Sequence, residues 1–192
     1  MGASLARAAK QAAPDVRVVA VEPREDVRAL ALRDAVADVA LAEPGPALAG
    51  CELAVLCTPI AALEALLAPV SRLLPDGAVL TDVGGAKERV VARAARDVRP
   101  GVAFVGAHPM FGGHGGYVGA RADLWRGGAV AVCVDAPPEA VETVARFHTA
   151  PSTTLRWRWS LTFRTSSRAR WRWRRARRVR SRRSWPARGS RT

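Results

Sequence analysis

Short apolar runs rich in β-branched residues alternate along the first 150 residues with longer segments whose apolar positions recur every three or four residues. Strands are predicted for the short runs at 16–22, 52–58, 78–83, 101–108 and 129–135. Helices are predicted for the periodic segments at 2–12, 23–34, 60–74, 87–98 and 137–150. Strands separated by helices of roughly 10 to 15 residues are typical of a parallel sheet that is covered on both faces. We therefore predict a doubly wound α/β domain over residues 1–150.

The chain opens directly on a predicted helix, whereas a doubly wound sheet that binds a dinucleotide opens on a strand leading into a G-x-G-x-x-G turn. We interpret Gly2 as the third glycine of such a turn, the one that lets the helix pack closely on its strand. The first strand and the first two glycines are then expected upstream of Met1, so the sheet as given lacks its first and central strand. A start site assigned too far downstream would explain this opening.

The charge of the chain is concentrated at one end. The chain carries 30 Lys and Arg against 17 Asp and Glu, a formal net charge of +13. Residues 1–150 contain all of the acids and half of the basic residues, so this body is close to neutral. Residues 151–192, the basic tail, contain the other half, all Arg, and five of the six Trp.

The basic tail shows no sustained helical or strand period. We expect it to be disordered, because it has too few aliphatic residues to offset the entropy of ordering. Its dominance by Arg, Trp, Ser, Pro and Ala also indicates the product of a GC-rich gene in a shifted reading frame. The alternative is a real tail whose Arg and Trp side chains bind nucleic acid. The near-neutral body gives no indication of that partner.

The sequence does not show the patterns of a metal site, a membrane span or a signal peptide. Cys51, Cys57 and Cys133 lack the spacing of a metal site, and no metal is predicted. No apolar run approaches the roughly 20 residues needed to span a bilayer, and the N-terminus lacks the features of a signal peptide. We expect a cytoplasmic protein without a membrane partner.

Candidate binding residues follow the predicted strands, because ligands of doubly wound sheets bind at the carboxyl ends of strands. Glu22 ends the second strand of the usual numbering, where an acid accepts hydrogen bonds from the adenosine ribose and favours NAD. Arg24 is close enough to pair with a 2′-phosphate, so NADP stays open. Small residues after the next two strands let the backbone approach a nicotinamide ribose. These residues are Cys57, Thr58, Pro59, Asp82, Gly84 and Gly85.

His108 is the candidate catalytic residue. It stands at the carboxyl end of a predicted strand and is followed by Pro109 and a glycine-rich loop. Imidazole is the side chain best suited to proton transfer near neutral pH. From spacing alone, a hydrogen-bonded structural histidine is an equally good interpretation.

Three segments occur in the order TDVGGAK (81–87), GAHPMFGG (106–113) and RADLWRG (121–127). With MGASLARA at the start and VLCTPIAALEALL in the middle, they resemble the prephenate and arogenate dehydrogenases over about residues 1–150. The resemblance implies a Rossmann-like, NAD-binding domain and an oxidative decarboxylation in tyrosine biosynthesis. Hydride passes from the ring carbon bearing the hydroxyl to NAD while the ring carboxylate leaves as carbon dioxide, giving 4-hydroxyphenylpyruvate. The resemblance further implies that His108 hydrogen-bonds the ring hydroxyl and helps take its proton.

The chain departs from that family in three places. Gly85 stands where the family often has Ser, and Gly113-His114 where an acid often follows; His114 either replaces the acid or lies in a solvated loop. The family's helical second domain, which supplies the homodimer interface and basic groups for the substrate, should begin where the basic tail stands. We therefore expect little or no dehydrogenase activity from the chain as written. Arogenate dehydrogenase, and a nucleic-acid-binding protein that uses the tail, remain alternatives.

Overall fold

The computed structural model of the chain describes residues 1–113 and 115–149. This part of the chain contains five α-helices: α1 (Gly2–Ala12), α2 (Glu25–Arg33), α3 (Ile60–Leu73), α4 (Lys87–Asp97) and α5 (Pro138–Thr149). It contains seven strands: β1 (Val19–Val21), β2 (Val39–Leu41), β3 (Leu53–Leu56), β4 (Val79–Asp82), β5 (Ala103–Val105), β6 (Ala107–Pro109) and β7 (Val130–Val132). Short 3₁₀ turns occur at Pro46–Gly50 and Ala122–Trp125. His114 and the basic tail lie outside the described residues.

The strands form three small sheets. β1 and β2 pair in parallel, β3, β4 and β5 form a parallel sheet in that order, and β6 pairs with β7 in antiparallel. The prediction of an α/β fold built on parallel strands is confirmed. Within the described residues no strand pairs with the second edge of β1 or of β3.

The helices match the sequence prediction better than the strands do. Each predicted helix is present, with ends within two residues of those expected. The run at 101–108, predicted as one strand, divides at Gly106 into β5 and β6, which belong to different sheets. The run at 129–135 contains β7, whose pairing is antiparallel because a loop, and not a crossover helix, joins it to β6. β2 was not predicted, since three residues are too short to show a period.

β4 is the central strand of the three-stranded sheet β3–β4–β5, and all of its residues are buried. Leu80 packs with residues of α3 and α4 on one face, where Leu63 and Val90 are fully buried. Val79, which points to the opposite face, packs with Val144 of α5. Helices therefore cover both faces of the sheet, as the doubly wound arrangement requires.

No helix among the described residues is long and apolar enough to cross a membrane.

Helix α2 ends in a left-handed cap at Ala35, whose φ is 52°. The Val36 N–H donates to the Ala31 carbonyl (2.9 Å), and the Ala35 N–H donates to the Leu32 carbonyl (3.1 Å). This pair of bonds is the Schellman motif, and Val36 and Ala31 are buried together as the motif favours. This conformation is less stable by about 1–2 kcal/mol for a residue with a Cβ, whereas glycine adopts it without that strain.

We expect Ala35→Gly to raise the free energy of unfolding by about 0.5–1 kcal/mol, because relief of the left-handed strain exceeds the added entropy of the unfolded chain. Urea denaturation measures the change. Ala29→Gly is the matched control: it makes the same substitution at an exposed position inside α2 and should lower the free energy of unfolding by about 0.5–1 kcal/mol. Equal destabilisation by both variants would contradict the cap described above.

Candidate active site

The start of α1 packs against the end of β3. A Cβ added to Gly2 would lie 3.3 Å from the Cβ of Cys57, closer than ordinary van der Waals contact. Two of the predicted cofactor-binding residues, Gly2 and Cys57, are therefore brought together at the end of β3. Burial raises the pKa of the Cys57 thiol to about 11. The thiol is protonated at neutral pH and acts as a packing group, not as a nucleophile.

Thr58 and Pro59 form the turn between β3 and α3. Pro59 occupies the residue just before the helix, a position that needs no backbone N–H. The Thr58 hydroxyl is buried and has no hydrogen-bond partner in the described part of the chain. A buried hydroxyl without a partner is unfavourable by itself, so this position suits a polar group of a bound ligand.

Glu22 follows the last residue of β1 and is fixed by its own loop. Its Oε1 accepts a hydrogen bond from the Arg24 N–H at 3.0 Å. The Arg24 guanidinium pairs instead with Asp26, at 2.6 Å between Nη2 and Oδ2, and both side chains are largely exposed. The structure thus places the predicted ribose-binding acid at the end of β1 and engages the predicted phosphate-binding Arg24 with a neighbouring carboxylate.

Asp82 ends β4 and is completely buried. Its Oδ2 accepts a hydrogen bond from the Gly84 N–H (2.9 Å), and its Oδ1 accepts one from the Ala107 N–H (3.2 Å). Oδ2 also forms a buried ion pair with Lys87 at the start of α4. The turn after β4 is tight, because a Cβ at Gly84 would lie 3.1 Å from Asp82 Oδ2.

Lys87 is a site residue that our sequence analysis did not single out. It is 7% exposed, and burial lowers the pKa of its ammonium group although the Asp82 carboxylate acts in the opposite direction. Besides the ion pair, its Nζ donates a hydrogen bond to the Ala107 carbonyl at 2.7 Å. The available signal was a lysine five residues after an acid that ends a buried strand.

His108 lies on β6, where its register partner on β7 is Ala131. A Cβ added to Gly85 would lie 3.4 Å from both Cε1 and Nε2 of the imidazole, so the glycine turn after β4 borders the ring. The structure therefore brings together four predicted residues: Asp82, Gly84, Gly85 and His108. His108 is half-buried, and its imidazole receives no hydrogen bond from the described residues, which favours an available functional group over a structural one.

The loop after His108 is anchored to the end of α5 by aromatic rings. Phe111 meets Trp125 edge to face, with ring centroids 5.1 Å apart. Trp125 Nε1 donates a hydrogen bond to Nδ1 of His148 at 3.2 Å, and both side chains are buried. Nε2 of His148 has no partner in the described part of the chain. Burial lowers the pKa of His148 to about 4, so this histidine is neutral at physiological pH.

A second anchor fastens the same loop to the first two helices. The Tyr117 hydroxyl lies 3.0 Å from the Leu30 carbonyl and 3.2 Å from Asp34 Oδ2. Arg7 of α1 lies over the Tyr117 ring, with its guanidinium carbon 5.5 Å from the ring centroid. The loop after His108 thus reaches from α5 across to the β1–β2 part of the domain.

Comparison with known proteins identifies this arrangement of turns and strands. The family model described as the nucleotide-binding domain of prephenate dehydrogenase matches residues 5–152. The chain belongs to this family. The resemblance inferred from the TDVGGAK and HPMFGG segments is confirmed, and the domain is a nucleotide-binding domain of an oxidoreductase family. No curated protein matches the chain in sequence.

Solved structures of the family share the fold. Prephenate dehydrogenase from Aquifex aeolicus is similar with a TM-score of 0.70 and 16% identity, over 84% of this chain and 56% of that one. Synechocystis arogenate dehydrogenase is similar with a TM-score of 0.71 and 21% identity, over 84% of this chain and 55% of that one. A further structure of the Aquifex aeolicus enzyme is a complex with hydroxyphenyl propionate and NAD+. The chain spans about half the length of these solved relatives.

The buried His148 makes the stability of the family domain pH-dependent. In the unfolded chain this histidine titrates near its ordinary pKa of 6.5, whereas in the folded state its pKa is about 4. The unfolded state therefore binds the proton first, and the stability present above pH 6.5 is lost as the pH falls toward 4. For this group alone we expect a loss of about 2 kcal/mol between pH 6.5 and pH 5.

His148→Gln provides the test, because a Gln amide oxygen can accept the Trp125 N–H but does not titrate. The free energy of unfolding is measured in urea at pH 7, 6 and 5 for parent and variant. We expect the parent to lose about 2 kcal/mol more than the variant across this range. Parallel pH profiles for the two proteins would show that His148 is not buried in the neutral form.

Proposed function

We propose that this domain binds NAD and acts in the oxidative decarboxylation of prephenate to 4-hydroxyphenylpyruvate, with His108 as the catalytic residue. The observation that carries the proposal is the position of His108: its imidazole is free of hydrogen bonds from the described residues and borders the glycine turn after β4. The proposal includes a homodimeric enzyme of tyrosine biosynthesis, as the family resemblance implies, and a location in the cytoplasm. It concerns the chemistry to which this domain contributes, since the chain spans about half of its solved relatives.

The residues present fit a dinucleotide cofactor. The Thr58 hydroxyl is buried without a partner in the described part of the chain, as expected of a group that awaits a polar ligand. Gly2 and Gly84 sit where an added Cβ would be crowded, which keeps the backbone close at both turns. Glu22 would accept hydrogen bonds from the ribose, and Cys57, Thr58, Pro59, Gly84 and Gly85 would line the nicotinamide end. The buried Asp82 would support this turn through its bond to the Gly84 N–H. Bound NAD supplies the hydride acceptor.

His108 supplies the base. In prephenate a hydroxyl and a hydrogen share one ring carbon, and the carboxylate is attached to the opposite ring carbon. As the hydrogen leaves with its electron pair, the hydroxyl becomes a carbonyl, and its proton passes to the His108 imidazole. Breakage of the bond to the carboxylate releases carbon dioxide, and the electron pair of that bond enters the ring to give an aromatic phenolate. The proton held by His108 then returns to the phenolate oxygen and gives the phenol. A base held at a fixed position typically contributes a factor of about 10²–10⁴ to such a step.

Arogenate is the second candidate substrate, because the arogenate dehydrogenase structure is as similar in fold as the prephenate enzyme. The two substrates differ by an amino group on the side chain, remote from the carbon that reacts at His108. NADP is likewise the second candidate cofactor. Arg24 would bind its 2′-phosphate only after separating from Asp26.

We expect His108→Asn to lower prephenate-dependent formation of 4-hydroxyphenylpyruvate and NADH by at least about 100-fold, because the variant lacks the proton acceptor. Since the expected turnover of the chain is low, product is measured by chromatography over hours, with prephenate and arogenate compared in parallel. His114→Asn is the comparison variant: product formation is retained if His114 lies in a solvated loop and falls if His114 replaces the acid of the family. A rate of product formation in His108→Asn that equals a measurable rate of the parent would contradict the assigned role.

We expect Glu22→Ala to weaken NADH binding by roughly 10- to 100-fold, the loss of a charge-assisted hydrogen bond to the ribose. NADPH binding should change far less, because the 2′-phosphate replaces one hydroxyl that the acid would bind. Fluorescence titration of both reduced cofactors measures the two affinities. Glu25→Ala removes the same charge at the first turn of α2 and should leave both unchanged. Equal losses in the two variants would point to net charge as the cause.

A further inference from the structure

The backbone of Ala107, the residue before His108, faces away from its own sheet. In the β6–β7 pair the Cys133 N–H donates to the Gly106 carbonyl and the Met110 N–H donates to the Ala129 carbonyl, both at 2.8 Å. Alternate residues of an antiparallel strand point their polar groups at the partner strand, so those of Ala107 point to the other side. Ala107 is fully buried, and its N–H and carbonyl require partners within the protein.

One buried ion pair supplies both partners. Asp82 Oδ1 accepts the hydrogen bond from the Ala107 N–H at 3.2 Å, and Lys87 Nζ donates to the Ala107 carbonyl at 2.7 Å. Asp82 and Lys87 also bond to each other through Oδ2 and Nζ. The two polar backbone groups immediately before His108 are thus held by two charged side chains from the end of β4 and the start of α4.

Stability alone does not explain a pair of this kind. Asp82 is 0% and Lys87 7% exposed, and replacing a buried ion pair with well-packed apolar residues is often neutral or stabilising. Besides the Gly84 N–H, the pair binds both polar backbone groups of Ala107 and so fixes the residue before His108 in place. The arrangement therefore points to positioning as the reason for the pair.

We propose that the Asp82–Lys87 pair is a positioning device for His108, which holds the Ala107 backbone on one side while β7 holds the strand on the other. With both sides fixed, the imidazole is held against Gly85. The proposal rests on the proposed function, because it gives His108 its catalytic role. Asp82 and Lys87 are positioning residues in it, and neither side chain needs to touch the substrate.

Space around the pair is consistent with this role. A Cβ at Gly106 would lie 3.1 Å from Cys133 Sγ and 3.4 Å from Cδ of Lys87. Glycine at this position lets the Lys87 stem pass close to the backbone and reach the Ala107 carbonyl. The chain turns at the same residue from β5 to β6, so the lysine holds β6 directly after the turn.

The test compares Lys87→Met and Asp82→Asn with the parent chain. Two quantities are measured: amide hydrogen exchange at Ala107 and His108 by NMR, and the rate at which diethyl pyrocarbonate modifies His108, followed by peptide mass spectrometry. We expect exchange at Ala107 and His108 to become at least about tenfold faster relative to Leu80 in the core of β4. We expect modification of His108 to become at least about threefold faster. Lys87→Arg, which keeps the charge and the donor, should restore much of both parent values.

Controls separate positioning from general destabilisation. Arg89 lies on the same helix as Lys87, and Arg89→Met breaks its ion pair with Glu64 of α3. This variant should change neither quantity. If Lys87→Met does not fold, the double variant Asp82→Asn/Lys87→Met carries the test with a neutral, matched pair. Exchange that accelerates equally at Ala107 and Leu80, or a His108 modification rate unchanged in every variant, would overturn the proposal.

The readouts also distinguish this proposal from the proposed function. Loss of order around His108 in Lys87→Met, together with unchanged product formation in His108→Asn, would keep the positioning device and reject the catalytic role. Loss of product formation in His108→Asn with no local change in Lys87→Met would do the reverse. In a turnover assay, positioning predicts a lower kcat with little change in KM for Lys87→Met, and rescue by Lys87→Arg.

Discussion

The buried carboxylate of Asp82 connects the parts of the molecule that meet at the site. Through its two oxygens it joins the end of β4, the glycine turn at Gly84, the first residue of α4 and the strand that carries His108. These elements come from two stretches of sequence, 79–87 and 107–109. Without these bonds, Lys87 and the backbone of Ala107 would leave buried polar groups without partners. In surroundings of low polarity such bonds are strong, and loss of any one is costly. The geometry around His108 therefore depends on one side chain that is itself hidden from the solvent.

The remainder of the domain supports this centre from two sides. Leu80 and Val79 direct the core packing to opposite faces of β4, so the strand that ends in Asp82 is held by α3 and α4 on one face and α5 on the other. The loop after His108 is held at two points: Trp125 bonds to His148 of α5, and Tyr117 bonds to the Leu30 carbonyl of α2. The sheet thus carries Asp82, and the anchored loop carries the residues that follow His108.

Periodicity predicted the helices well because their apolar faces extend over several turns, and the strand ends led to His108, Glu22 and the small residues of the turns. The division at Gly106 was not predictable, since the apolar run continues through it and only tertiary pairing separates β5 from β6. The bonds of Lys87 to Ala107 and of Trp125 to His148 join residues 20 and 23 positions apart. No local pattern records such contacts. Family motifs pointed to the candidate site, and the structure supplied the hydrogen bonds within it.

Tyr117 is the single tyrosine of the chain, and it lies on the glycine-rich loop rather than in the core. Burial and the hydrogen bond to Asp34 raise the pKa of its phenol above the ordinary value. The near-ultraviolet signal of phenolate formation therefore comes from one position, and that position is the point where the loop meets α1 and α2. The absorbance of the Tyr117 phenolate therefore reports whether the loop is docked on α1 and α2. This signal needs no added label and is separate from that of tryptophan.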